Sequence, residues 1–80
     1  MTRAQLFEIF QRMATEIAER DLSQMTEDSN IQELGLDSLS TMELVGAMEH
    51  EFGIQIPDEQ LVGIQTVAQL LDLIGKRMSA

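Results

Sequence analysis

Within LGLDSLSTMEL, residues 34–44, Ser38 stands between an aspartate and a leucine, and its position raises the question of chemistry. A nucleophilic serine needs a general base within hydrogen-bonding reach. The only histidine, His50, lies twelve residues further along the same expected helix, a separation of about 18 Å at the rise of an α-helix. A Ser-His hydrolase is therefore excluded, and His50 reads as a solvated surface residue. A calcium loop counted from Asp28 finds Asn30 and Gln32 at suitable places. It then meets Glu33 where glycine is required and Leu39 where the closing glutamate should stand. Gly35, Gly46, Gly53, Gly63 and Gly75 are too scattered to cradle a phosphate. Glu49 and Glu51 form a carboxylate pair, but a chain of this size offers no cleft to make them an acid and a base. They read as a solvated face, and the sequence lacks the parts of an enzyme.

Composition narrows the classes further. Eighty residues make one small domain, expected to span 1–80 as a free-standing unit. A hydrophobic content of 44% is that of a folded chain, while three Phe are the only aromatics, so Leu, Ile, Val and six Met must fill the core. The absence of cysteine rules out a disulfide scaffold or a thiolate zinc site and fits a reducing cytoplasm. The opening MTRAQLFEIF places acids and amides where a signal sequence would be apolar, so neither export nor a membrane segment is expected. Fourteen acids against five bases give a formal net charge of -9, which repels nucleic-acid phosphate and anionic lipid. Five bases without interleaved aromatics also argue against nucleic acid. Partners docking by charge should be basic, although such acids also serve plain solubility.

The elements that must position Ser38 are helical. Leu6, Ile9, Phe10, Met13 and Ile17 recur at helical spacing, with Gln5, Glu8, Gln11, Arg12, Glu16 and Glu19 opposite. Thr2 and Gln5 form a capping box at the start of this first helix, and the polar stretch 23–30 marks its end and opens a long loop. A second helix begins near Ser38, carries Leu44, Val45, Met48 and Phe52 inward, and stops at Gly53. Pro57, Asp58 and Glu59 start a minor third helix over roughly 58–63. Thr66 and Gln69 cap a last helix whose face of Val67, Leu70, Leu71 and Ile74 is expected to end before Gly75. The fold class is all-α: a four-helix bundle of three main helices and one short one, with a long loop between the first two.

In that frame Ser38 sits in the first turn of a helix, where exposed amides and the positive dipole end would stabilise a phosphate ester by about 0.3–1 kcal/mol. Capping by Asp37 or Ser38 alone would explain the same residues with no function attached. The wider pattern decides for modification. Glu33-Leu34-Gly35-Leu36-Asp37-Ser38-Leu39 resembles the signature of acyl carrier proteins, in which the serine after Gly-x-Asp carries 4'-phosphopantetheine. TMELV (41–45), EHEFG (49–53), IPDE (56–59) and Thr66-Val67 follow in that family's order and spacing, so the resemblance covers essentially the whole chain.

The resemblance implies a carrier and no catalyst. A phosphopantetheinyl transferase would move the arm from coenzyme A to Ser38, and acyl groups would ride on its thiol, which accounts for a chain without cysteine. Asp37 matches the family's acid before the serine, and Leu39 the apolar contact after it. Met42, Glu43, Glu49 and Glu51 match the face that meets basic patches on acyltransferases, ketosynthases and other acyl-processing enzymes. The chain itself is expected to be a monomer. Leu44, Val45, Met48, Ile56, Ile64 and Leu71 are expected to border any space opened for an acyl chain. Two positions depart from the fatty-acid pattern: Ser40 replaces an acid, and Gly46 replaces a bulky apolar contact. These departures favour polyketide or related secondary metabolism over fatty-acid synthesis, and a helical adaptor that never acquires an arm is the contrasting reading.

Overall fold

The computed structural model describes residues 1–79, and every regular element in it is helical. Helix α1 spans Arg3–Ala18, α2 Ser38–Phe52 and α3 Val67–Ser79, with single 3-10 turns at Gln32–Leu34 and Asp58–Leu61. The fold is all-α, and the short third helix is a 3-10 turn of four residues. Pro57 starts that turn and Val62 leaves it in extended backbone, so one turn is all that forms.

Helix α1 begins as its sequence predicts. The Gln5 amide donates to Thr2 Oγ1 at 3.1 Å, and the Thr2 amide donates to Gln5 Oε1 at 2.8 Å, which satisfies two otherwise free donors. Leu6, Phe10 and Ala14 are buried at four-residue spacing, while Ile9, Met13 and Ile17 flank that stripe half-buried. The helix stops at Ala18, earlier than the polar stretch beginning at Ser23 suggests. Glu19 takes the left-handed conformation at φ 54° and its amide returns to the Thr15 carbonyl. A glutamate in that role carries no composition signal, because glycine is the usual residue there.

The connection over 19–37 is a loop in path but part of the core in packing, for Leu22, Met25, Ile31 and Leu36 are all buried. Its last third is stapled to the segment entering α3. Ile31 N donates to the Gln65 carbonyl at 2.9 Å, Val67 N to Ser29 at 3.0 Å and Ala68 N to Glu27 at 2.8 Å, around an isolated antiparallel bridge between Asn30 and Thr66. Arg3 reinforces the staple from α1. Its guanidinium donates twice to Glu27 Oε1, at 2.7 and 3.1 Å, once to Glu27 Oε2 at 3.1 Å and once to the Ala68 carbonyl at 3.2 Å, and it pairs with Asp72 at 2.9 Å. Hydrogen bonding to Arg3 holds the Glu27 carboxyl below its usual range.

Helix α3 shows the second departure from the sequence reading, since it continues through Gly75 to Ser79. A helical glycine costs roughly 1 kcal/mol relative to alanine. Here Ile74 is fully buried and Met78 packs on the core beyond it, while Lys76 and Arg77 meet the negative end of the helix dipole. These contacts outweigh the glycine. Phe10, Leu36, Leu44, Met48, Val67, Leu70, Leu71 and Ile74 are fully enclosed, and no polar side chain is buried among the described residues. Nor is any described helix long and apolar enough to cross a membrane.

With Phe10 the largest enclosed side chain, Phe10→Ala is expected to cost about 3–5 kcal/mol. That is a large share of the roughly 4–12 kcal/mol typical for a chain this long. Urea unfolding followed by circular dichroism should show the midpoint collapsing towards zero denaturant.

Candidate functional site

Three local features bring Ser38 to the surface at the start of α2. Gly35 closes the preceding 3-10 turn at φ 89°. A Cβ there would meet only the side chain of Arg20, 2.7 Å away at Nη1, which is free to shift, so it is the left-handed conformation that requires glycine. Leu36 then drops into the core with no exposure and anchors the chain one residue before the cap. Asp37 is the N-cap: its Oδ1 accepts the Ser40 amide at 2.8 Å and its carbonyl accepts the Thr41 amide at 2.8 Å. The Ser40 hydrogen bond pulls the Asp37 carboxyl below its ordinary value. Ser38, the first residue of the helix, is exposed.

Beside it lies an open cleft of about 370 Å³. Ser38, Thr41 and Met42 form its α2 wall; Asn30, Ile31 and Gln32 come from the long loop, and Leu61, Ile64 and Gln65 from the approach to α3. Of the six residues expected to border any space opened for an acyl chain, Ile64 lines this cleft. Leu44, Val45, Met48 and Leu71 are buried in the core, and Ile56 instead edges a separate hollow with Gly46 and His50. Leu44, Val45 and Met48 pack into the core from the middle of α2, whereas the cleft lies off its first turn. No sequence signal marks Asn30, Gln32 or Gln65, because the Asn30–Thr66 bridge brings them there.

The expected recognition residues separate into groups. Asp37, Leu39, Met42 and Glu43 are exposed together on the first turns of α2, with Leu39 at 68% and Met42 at 52% exposure. Glu49 is only half exposed, because its Oε2 accepts the Ile56 amide at 2.7 Å and ties down the chain after α2. Glu51 lies nine residues beyond Met42, about two and a half turns, which puts it on the opposite flank of the helix. The family resemblance marked all six residues, and the structure places Asp37 and Met42 on the same cleft as Ser38.

A family model described as a phosphopantetheine attachment site matches residues 8–74. The chain belongs to the acyl carrier protein family. It is 43% identical over 77 residues to an acyl carrier protein of Guillardia theta, covering 91% of this chain and 95% of that one. The crystal structure of an acyl carrier protein from Thermotoga maritima superposes with a TM-score of 0.88 at 34% identity, over 96% of this chain and 91% of the other. The hexanoyl acyl carrier protein of the actinorhodin polyketide synthase of Streptomyces coelicolor gives a TM-score of 0.77 at 30% identity, over 90% and 88% of the two chains. As an acyl carrier protein the chain is a carrier and no catalyst, and its prosthetic group is 4'-phosphopantetheine.

The residues present fit that group. The carrier exposes a serine hydroxyl at a helix N-terminus, where the dipole favours a phosphodiester, and the cleft alongside mixes the amides of Asn30, Gln32 and Gln65 with apolar Ile31, Met42 and Ile64. The arm supplies the thiol that the chain lacks.

The cap can be tested through its charge. Because the folded-state pKa of Asp37 is depressed, its stabilisation is complete above the unfolded carboxylate pKa and fades as pH falls through the folded value. Asp37→Ala should lower the melting temperature by a few degrees at neutral pH, and Asp37→Asn by less, since asparagine also caps. In calorimetry from neutral to acid pH, the advantage of wild type over Asp37→Asn should shrink as pH falls.

Proposed function

We propose that Ser38 is the attachment point of the phosphopantetheine arm and that the chain, as one carrier domain over residues 1–80, presents acyl thioesters in polyketide or related secondary metabolism. The observation that carries the attachment site is the exposure of Ser38 at the first position of a capped helix, at the mouth of the cleft. The family's arm requires a serine that a transferase can reach, and the geometry of Gly35, Leu36 and Asp37 holds this one outward.

Asp37, Leu39, Met42 and Glu43 are the docking face in this reading, and a phosphopantetheinyl transferase, acyltransferases and ketosynthases are the partners. A net charge of -9 steers such encounters towards basic surfaces. The same charge opposes self-association, in keeping with a cytoplasmic monomer. Support for the polyketide setting comes from the likeness to the actinorhodin carrier and from the surface itself. Ser40 removes a charge beside the attachment serine, and Gly46 leaves open space on α2 where a Cβ would meet nothing within 4 Å.

Incubation with coenzyme A and a broad-specificity transferase should add the mass of one arm to wild type and none to Ser38→Ala, as read by intact-protein mass spectrometry. An unmodified wild type, under conditions that load another carrier, would return the chain to the adaptor reading. Offered to a polyketide and a fatty-acid ketosynthase in parallel, the malonyl-loaded chain should be elongated faster by the first.

A further inference from the structure

The staple between the long loop and α3 runs as a short zip, with the cleft at one end and Arg3 at the other. The bond from Ile31 N to the Gln65 carbonyl is its last towards the cleft, and both residues line the cleft. The bond from Val67 N to the Ser29 carbonyl comes next, and that from Ala68 N to the Glu27 carbonyl lies furthest away. At that far end the Arg3 guanidinium grips both sides at once. It holds the Glu27 carboxylate on the loop, and the Ala68 carbonyl and Asp72 on α3.

Helix α1 has no need of an arginine at that place. Arg3 is its first residue, no acid stands in its first turn to offset the charge, and a cation at a helix N-terminus works against the dipole. Both ion pairs among the described residues belong to Arg3. The group is also open to water, with side-chain exposures of 38% for Arg3, 37% for Glu27 and 73% for Asp72. Ion pairs so exposed are weak and are screened by salt, and a two-stranded ladder of three bonds is marginal by itself. A clasp of this strength closes the zip without fixing it shut.

We propose that Arg3, Glu27 and Asp72 form an ionic latch that sets how readily the staple opens, and with it the width of the cleft, while the helices stay folded. Release of Arg3 frees the far end at Glu27. Parting the remaining bonds in turn separates the cleft wall of Asn30, Ile31 and Gln32 from that of Ile64 and Gln65. Ile31 and Val67, buried beside the zip, oppose the opening and draw it closed again. The middle of α2, enclosed at Leu44 and Met48, takes no part. The latch goes beyond the carrier reading, since it concerns the opening of the cleft and not what occupies it. Helix α1 thereby controls a cleft that it does not line.

Native-state hydrogen exchange of the full chain, followed by NMR, reads such local opening. The Ile31, Val67 and Ala68 amides should exchange as one group, faster than the Leu44 and Met48 amides. Arg3→Met, which keeps an unbranched apolar stem, should speed that group about fivefold, and Glu27→Gln should act in the same direction. Arg3→Lys should have a smaller effect, since an ammonium lacks the fork that grips Glu27 and Ala68 together. In about 1 M sodium chloride, where charges are screened beyond about 3 Å, the ratio of variant to wild type should fall towards one. Arg12→Met, which removes an exposed arginine further along α1, should leave the group at its wild-type rate. Staple amides that exchange no faster than those of Leu44 and Met48 overturn the latch, because the staple then opens only when the whole chain unfolds. So does an unchanged rate in both Arg3→Met and Glu27→Gln, or a ratio that salt leaves untouched.

Discussion

The staple between the long loop and the entry to α3 is the contact on which the functional end of the molecule depends. Three main-chain hydrogen bonds join residues 27–31 to 65–68, and they do so where the two segments would otherwise leave amides and carbonyls without partners. Satisfying those groups is obligatory once the flanking residues are buried. The consequence is geometric: Ile31 and Leu36 are pinned inward, the chain between them has one path, and that path delivers Asp37 and Ser38 to the surface at the start of α2. Arg3 ties the same staple to α1, so all three helices bear on the position of one serine.

This arrangement separates two demands that a carrier must meet. The core is apolar throughout, filled by aliphatic and methionine side chains and by Phe10. The site at its edge is built from backbone features: a left-handed glycine, a helix cap and two tight turns. Ser38 is exposed there, at the first position of a capped helix. The cleft next to it mixes amides with aliphatic groups, a lining suited to an arm that is itself alternately polar and apolar.

Charge acts at longer range. The excess of acids leaves Arg3 as the basic residue with a structural role across elements, and most carboxylates stay free in solvent. At the start of α2, Asp37 and Glu43 flank exposed Leu39 and Met42. Long-range attraction and short-range apolar contact are thus combined at one end, while the outer face of α1 is polar.

The all-α class, both Thr/Gln capping boxes, the cap at Asp37 and the inward face of α2 were legible in the sequence, because each depends on residues three or four apart along one helix, whereas Ser38 was marked by the motif shared with acyl carrier proteins. Features that depend on distant segments were not. The end of α1 at a left-handed glutamate, the passage of α3 through Gly75 and the 3-10 form of the third segment are decided by packing that overrides local preference. The recognition residues show the same division. The family resemblance marks Leu39, Met42, Glu43, Glu49 and Glu51 alike, but only the folded chain shows that Glu49 is held by the Ile56 amide. The cleft is wholly tertiary, since its walls come from three segments that meet through the Asn30–Thr66 bridge. Local sequence specifies the helices and the exposed, capped start of α2 at Ser38 through short-range hydrogen bonding and periodicity. Which side chains surround that serine is settled by contacts between residues more than thirty apart, for which linear spacing carries no signal.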